Sequence, residues 1–588
     1  MPERRPVPKI FSRISHVDAI SLFEREYESI RRLERNRSGK SITVKMVSGP
    51  IKRSGGELRL AGKLLSWSCL LFMLVGFRSA SRAQVLTSQY DNARTGADLH
   101  ETILKPSNVN SREFGKLFSW TVDGDVFAQP LYVPSLAIPG KGKRDLVFVA
   151  TEHDSVYAFD VNGRRDAPLW KATLLDPQHR FTTLSEQDVS CPFITPEVGI
   201  TPTPVIDAAS KTMYVLARTN ENGVFVQKLH ALDITSGKER AGSPVVISAT
   251  VRGTGDGAVN GTVSFDPLKE NPRAALLLVR GEVYLTWASS CDVGPYHGWV
   301  MAYDARTLRQ TAVLNTSPDG GDAGIWQSDT GPAADDEGNI YVATGNGSFN
   351  GAEAGGRNFG DSLLKLRLEG GQLVVRDYFT PFNQKVLEAR DWDLGSQGPV
   401  LLPAQAGAHP HLLVIAGKEG KLYLLDRDNL GKFHERSDPQ VVQAIKVKDA
   451  YGAASYWHSH IYFTDRSDTT RDFIQGGQLT LNGVTNQMSS PAATPIVSAD
   501  GTKNAVLWVV STKEWNESHM DRPSVLHAYD ANGITHELYN SEQMGGRDRA
   551  DVTVRFCIPT VADGHVFIGT RGHLDVYGLL NQRPRSKR

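Results

Sequence analysis

Val147-Phe148-Val149-Ala150-Thr151, four polar residues, then Val156-Tyr157-Ala158-Phe159-Asp160: this stretch decides the fold. Two apolar, β-branched runs joined by a short polar turn read as a hairpin packed on both faces. The same phrase recurs along the chain. Residues 213–216 lead to 229–233, 283–286 to 300–304, 340–344 to 362–366, 412–416 to 422–426, 506–510 to 526–530, and 566–570 to 574–578. Each hairpin follows a short run opened by proline or a small residue, as at Pro204, Pro332, Pro399, Pro495 and Pro559, where crowding near an axis suits small side chains. Turns such as Asp233-Ile234-Thr235-Ser236-Gly237 then lead to a fourth, outer strand. Four strands per unit, repeated every 50 to 70 residues or so, predict an all-β propeller in which each unit is one blade.

The ends of the chain predict how the ring closes. The last unit stops one strand short at Leu579, while residues 117–122 form an orphan strand before the first unit. The N-terminal strand is therefore expected to complete the last blade, which leaves no open edge. Between Asp426 and Asp530 the spacing stretches enough for an additional, degenerate blade around Trp457-His458-Ser459-His460-Ile461-Tyr462-Phe463. Eight blades are favoured, with seven as the alternative. The single propeller domain is assigned to residues 84–582, followed by a basic tail, 583–588.

Residues 64–77 are the one long apolar run. Basic residues precede it and Ser79-Ala80-Ser81-Arg82-Ala83 follows it, which reads as a secretory signal rather than a membrane span of about 20 residues. Residues 1–83 form an N-terminal extension plus this signal; either translation starts at Met46, or a basic extension with an amphipathic helix near 18–35 precedes the signal. The expectation is export to the periplasm or beyond, with membrane contact only if the signal stays uncleaved. Residues 1–83 hold 17 of the 65 basic and 7 of the 65 acidic residues, leaving 48 against 58 in the rest. That negative balance disfavours nucleic acid as a partner. Of the four cysteines, Cys69 lies in the apolar run and Cys557 starts an apolar strand. Cys191 and Cys291 fall in polar loops and are the candidates for a bridge in an oxidising compartment; in a reducing one they stay thiols.

Loops that enter the inner strands and turns that join the middle strands share one face of a propeller and converge on its axis. The entering loops offer Gln129, Glu197, Gln327, Asp329, Asp393, Gln397 and Arg555, and the middle turns Glu152, His153, Asp154, Asn346, Lys418, Glu419 and Arg571. Their oxygens suit calcium, and Lys418, Arg555 and Arg571 suit an anion; the plainer reading is that such polar turns cap hairpins. His458 and His460 alternate on a predicted strand and are weak candidates for a shared metal. The tryptophans spread through the repeats, including Trp120, Trp170, Trp287, Trp299, Trp326, Trp392, Trp457, Trp508 and Trp515, read as wedges between blades.

The pattern Ala-x-Asp with a glycine soon after, at residues 158–163, 231–237 and 528–533, resembles the repeat of the PQQ-like (pyrroloquinoline-quinone-type) propellers. Residues 149–160 and 295–300 look like an exported bacterial subfamily of them. The resemblance spans about residues 86–580 and implies the fold; it serves both quinoprotein dehydrogenases and non-catalytic scaffolds such as an outer-membrane assembly lipoprotein. Adjacent cysteines and a Cys-x-x-Cys-His haem motif, which mark those enzymes, are absent, and no segment aligns with their calcium ligands. The leading expectation is a scaffold binding a protein or small molecule at the funnel face. The alternative is a PQQ- and calcium-dependent oxidoreductase acting on an alcohol or sugar.

Overall fold

The computed structural model describes residues 58–60, 63–65 and 82–581, apart from 164–165, 177, 329, 468, 487–492 and 513–521. The apolar run 64–77 of the expected signal therefore lies outside the described residues except for Leu64 and Leu65, as do the 18–35 helix, Asp329, Trp515 and the basic tail, whereas Arg82 and Ala83 after it are described as part of the second unit. The chain divides into two units, Met1–Ser79 and Ala80–Arg588. In the first, Leu58–Leu60 pairs antiparallel with Lys63–Leu65. Among the described residues no helix is long and apolar enough to cross a membrane.

The second unit is an eight-bladed propeller. Blade 1 is Leu131–Ile138, Gly142–Ala150, Ser155–Asp160 and Trp170–Thr173, each strand antiparallel to the next. The middle strands of blade 1 and of blades 2 to 5, 7 and 8 are those read from the sequence: Thr212–Glu221 with Val224–Asp233, Glu282–Ser289 with Trp299–Asp304, Ile340–Ala343 with Leu363–Glu369, Leu412–Ala416 with Lys421–Asp426, Lys503–Thr512 with Ser524–Asp530, and His565–Thr570 with His573–Leu579. Both faces of these strands are apolar because each blade packs on two neighbours. Trp287 and Trp299 sit in the cluster between blades 2 and 3, Trp457 between 6 and 7, and Trp508 between 7 and 8, all essentially without solvent contact. The ring closes where Phe114–Thr121 pairs with His573–Leu579 as the outer strand of blade 8, and Trp120 stacks on Phe159 of blade 1 across the seam at 4.6 Å.

Blade 6 has four full strands and is not degenerate. Residues 457–463 are not one strand, however. His458 and Ser459 both take positive φ, 45° and 69°, and make a two-residue turn between Ser455–Trp457 and His460–Asp465. The two histidines therefore do not share a strand face. His458 is exposed on the turn, whereas His460 Nδ1 bonds the buried Asp472 carboxylate at 2.9 Å, which corrects the expected metal pair.

Residues 85–101 form a thread that visits the inner strand of each blade in order. Val85 exchanges two backbone bonds with Tyr132 in blade 1, and Leu86 O accepts from Ile206 N in blade 2. Asn92 donates to Leu278 O in blade 3 and accepts from Ala334 N in blade 4. Ala93 O, Thr95 O and Gly96 O take the N–H groups of Leu401, Tyr456 and Val497 in blades 5, 6 and 7, and Glu101 Oε2 accepts Gly564 N of blade 8 at 2.8 Å. Gly96 (φ 68°) passes Ser455 so closely that a Cβ would stand 2.7 Å from it, so only glycine fits. The fully buried Arg94 locks the thread, donating to Thr87 Oγ1 and Ser88 O at 2.7 Å and to Pro332 O at 3.0 Å. A layer of buried amides and hydroxyls caps it: Gln89 joins Gln129, Ala454 O and Thr330, and Gln129 joins Thr203 and Thr560.

Candidate functional site

Above that layer the entering loops and middle turns enclose a cavity of about 580 Å³. Its cations come from four blades: Arg273 before blade 3, Lys418 in the middle turn of blade 5, Arg466 in that of blade 6, and Arg555 before blade 8. Its acids are Asp292, Asp391 and Asp393. The dipeptide Arg555-Phe556 contributes one half of each of two stacks. The Arg273 guanidinium lies over the Phe556 ring at 4.4 Å, and the Arg555 guanidinium over the Phe193 ring at 4.3 Å. All four side chains line the cavity. Stacking occupies the flat face of each guanidinium, and Arg273 Nε also donates to Ser328 Oγ at 3.4 Å.

The carboxylates are engaged differently. Asp393 Oδ1 accepts the Asn346 N–H at 2.7 Å, and its Oδ2 holds the Lys418 ammonium at 2.6 Å; that ammonium also reaches Asp391 at 2.9 Å. Burial raises the Asp393 pKa against the pull of Lys418, and burial raises that of Asp292, which takes the Tyr296 hydroxyl at 2.8 Å. An ammonium already sits where a divalent cation would bind. Calcium would have to compete with that ammonium for both carboxylates, and among the described residues no group of three or more His, Cys, Asp or Glu is placed to hold a metal.

Of the residues singled out from the sequence, Lys418, Asp393 and Arg555 meet at this cavity. Glu419 turns away to Asn383, Lys421 and Tyr423, and Arg571 pairs with Asp125 at 3.6 Å outside it. Gln129 belongs to the axial layer, Gln327 Oε1 accepts the Ala343 N–H, and Gln397 donates to Gly452 O. Asn346 serves through its backbone. Glu152 and Asp154 are wholly buried beside Gly199, and His153 Nδ1 bonds Glu197 on the surface at 2.8 Å. Cys191 and Cys291 form a disulfide, Cα–Cα 5.5 Å, on the cavity wall.

A hydroxyl–imidazole–carboxylate relay also exists, from Ser511 Oγ to His527 Nε2 at 2.8 Å and from His527 Nδ1 to Glu537 Oε1 at 2.7 Å. Ser511 is 2% exposed and does not line the funnel cavity, and the relay ties three strands of blade 7 together.

No family model and no curated protein matches this sequence. Solved structures do. A quinohemoprotein alcohol dehydrogenase from Pseudomonas putida HK5 superposes with a TM-score of 0.54 at 14% identity, over 85% of this chain and 81% of that one. The fold is an eight-bladed propeller, shared with that enzyme. BamB from Moraxella catarrhalis aligns at TM-score 0.43 and 12% identity, and Saccharomyces cerevisiae Sqt1 at 0.47 and 10%, each over 79% of this chain and 99% of its own. At these identities the PQQ-like likeness concerns the scaffold, and activity has to be argued from the cavity.

Proposed function

We propose that this protein is an exported, non-catalytic binding scaffold whose funnel holds a small, multiply charged anion. The observation that carries the reading is the pair of guanidinium–phenyl stacks, Arg273 on Phe556 and Arg555 on Phe193, converging on one cavity. Beyond residue 83 the chain has 10 more acidic than basic residues, whereas the cavity lining sets four cations against three carboxylates. A volume of about 580 Å³ suits a small molecule, and the axial layer beneath closes the far end. Export is supported by the basic-apolar-small order of residues 52–83 and by a disulfide, which suits an oxidising compartment.

The quinone-dependent oxidoreductase is the weaker reading. Its calcium would have to displace Lys418 from Asp391 and Asp393, and the bridged cysteines stand 100 residues apart rather than side by side. Calorimetric titration with benzene-1,3,5-tricarboxylate and with pyrroloquinoline quinone, each with and without calcium, tests this. The scaffold reading expects anion binding that weakens with salt and ignores calcium. Calcium-dependent binding of the quinone, followed by alcohol or sugar oxidation, would replace it, and no heat with either probe would remove the anion site.

A further inference from the structure

We propose that the Cys191–Cys291 bond is a redox latch on the funnel, opened by a dithiol reductant. The inference concerns regulation of the funnel and rests on the cavity being the binding site. The connection from blade 1 to blade 2 is long, and within it Leu184–Ser185 pairs with Glu197–Val198 to make a small flap. Ser185 and Asp188 form a reciprocal cap on the one-turn helix Glu186–Val189. Leu184, Val189, Cys191, Ile194 and Val198 bury a small apolar cluster distinct from those between blades, against which Phe127, Phe225 and Leu268 pack from outside the flap. Such a segment has its own local stability, lower than that of the blades.

Two facts place this flap over the ligand site. Val189, Cys191, Phe193, Ile194 and Val198 all line the cavity, and Phe193 is the ring on which Arg555 stacks. The flap grows from between blades 1 and 2, yet the bond ties it to the middle turn of blade 3, where Cys291 and Asp292 both adopt positive φ, 52° and 54°. The bond therefore fastens a loop across the funnel wall. Cys291 is partly exposed and both sulfurs belong to residues of that wall, whereas the remaining described cysteine, Cys557, is buried.

In the reaction one thiolate of the dithiol attacks Cys291 Sγ, the Sγ–Sγ bond breaks, and Cys191 leaves as a thiolate that takes up a proton. The second thiol of the reductant then attacks the mixed disulfide and releases Cys291. Two electrons pass to the protein, which ends with two thiols, and the reductant ends as its disulfide. Once cut, the flap is held by its apolar cluster and by the Glu197 bond to His153 of blade 1, and the cross-funnel tie that keeps Phe193 on Arg555 is gone.

The test is hydrogen–deuterium exchange on the full chain, oxidised and after dithiothreitol, with the Cys191→Ser/Cys291→Ser double variant alongside. Benzene-1,3,5-tricarboxylate is titrated into all three. The latch predicts that amides of 186–198 exchange at least about tenfold faster in both unlatched forms, that the blades keep their protection, and that probe affinity falls at least about fivefold. Unchanged exchange in 186–198, an unchanged affinity for a probe that the oxidised protein binds, or loss of protection throughout the blades would overturn it. If the oxidised protein fails to bind the probe, the anion site falls, and exchange in 186–198 still decides whether the bond is a latch.

Discussion

Glu152 shows how a propeller turn uses a carboxylate that no solvent reaches. Its Oε2 accepts the Gly199 N–H at 2.7 Å and the Thr201 hydroxyl at 3.1 Å. Burial outweighs those bonds and, with Asp125 nearby, lifts its pKa from 4.5 to about 7. An acid whose folded pKa is raised stabilises the fold fully below its unfolded value and loses that contribution as pH rises through the folded one. Glu152→Gln is therefore expected to flatten the fall in stability between about pH 4.5 and 7, an effect on the order of 3 kcal/mol, read from urea melts at pH 5 and pH 8. Arg94 is a second case. Its pKa drops to about 10 by desolvation, so it remains charged at neutral pH, and its four carbonyl and hydroxyl acceptors lie inside the ring. Arg94→Ala should cost roughly 3 kcal/mol or more in the same melts. Lys418 and Arg555 were legible as cations at funnel turns. Arg273, Phe193 and Phe556 were not, because an arginine and a phenylalanine 283 residues apart show no spacing signal before the ring brings them together.

At the level of elements, the blade strands could be read because burial on both faces writes uninterrupted apolar runs into the sequence. The His458-Ser459 turn could not, since neither residue advertises positive φ as Asn-Gly would. The thread through residues 85–101 left no pattern either. It holds the inner strands mainly through backbone groups, which every residue carries. A chain starting at residue 105 would leave inner-strand groups of every blade without partners, and is expected to be insoluble or to lack a cooperative melt, while one starting at residue 82 folds. Circular dichroism melts of the two separate these outcomes. In blade 7 the Ser511–His527–Glu537 relay spans three strands, so His527→Ala should cost about 1–3 kcal/mol without altering anion binding.

As a whole molecule, the propeller is a ring stapled twice near its ends. Phe114–Thr121 completes blade 8, and Arg82 bridges Asp145 of blade 1 and Asp563 of blade 8 at 2.8 and 2.5 Å. The thread and the amide layer fill the axis, and the cavity lies above them within a rim whose chemistry is set by its loops. Closure by the N-terminal strand could be read from an orphan strand at one end and a missing one at the other. The cavity could not, because its charge is assembled from four blades. The most direct measurement is a calorimetric comparison of the native chain with Arg273→Gln, Arg555→Gln and Arg571→Gln, using benzene-1,3,5-tricarboxylate. The two cavity variants should lose at least about tenfold in affinity, with Arg571→Gln matching the native protein. Equal affinity in all four proteins would show that the stacked guanidiniums do not form the binding site.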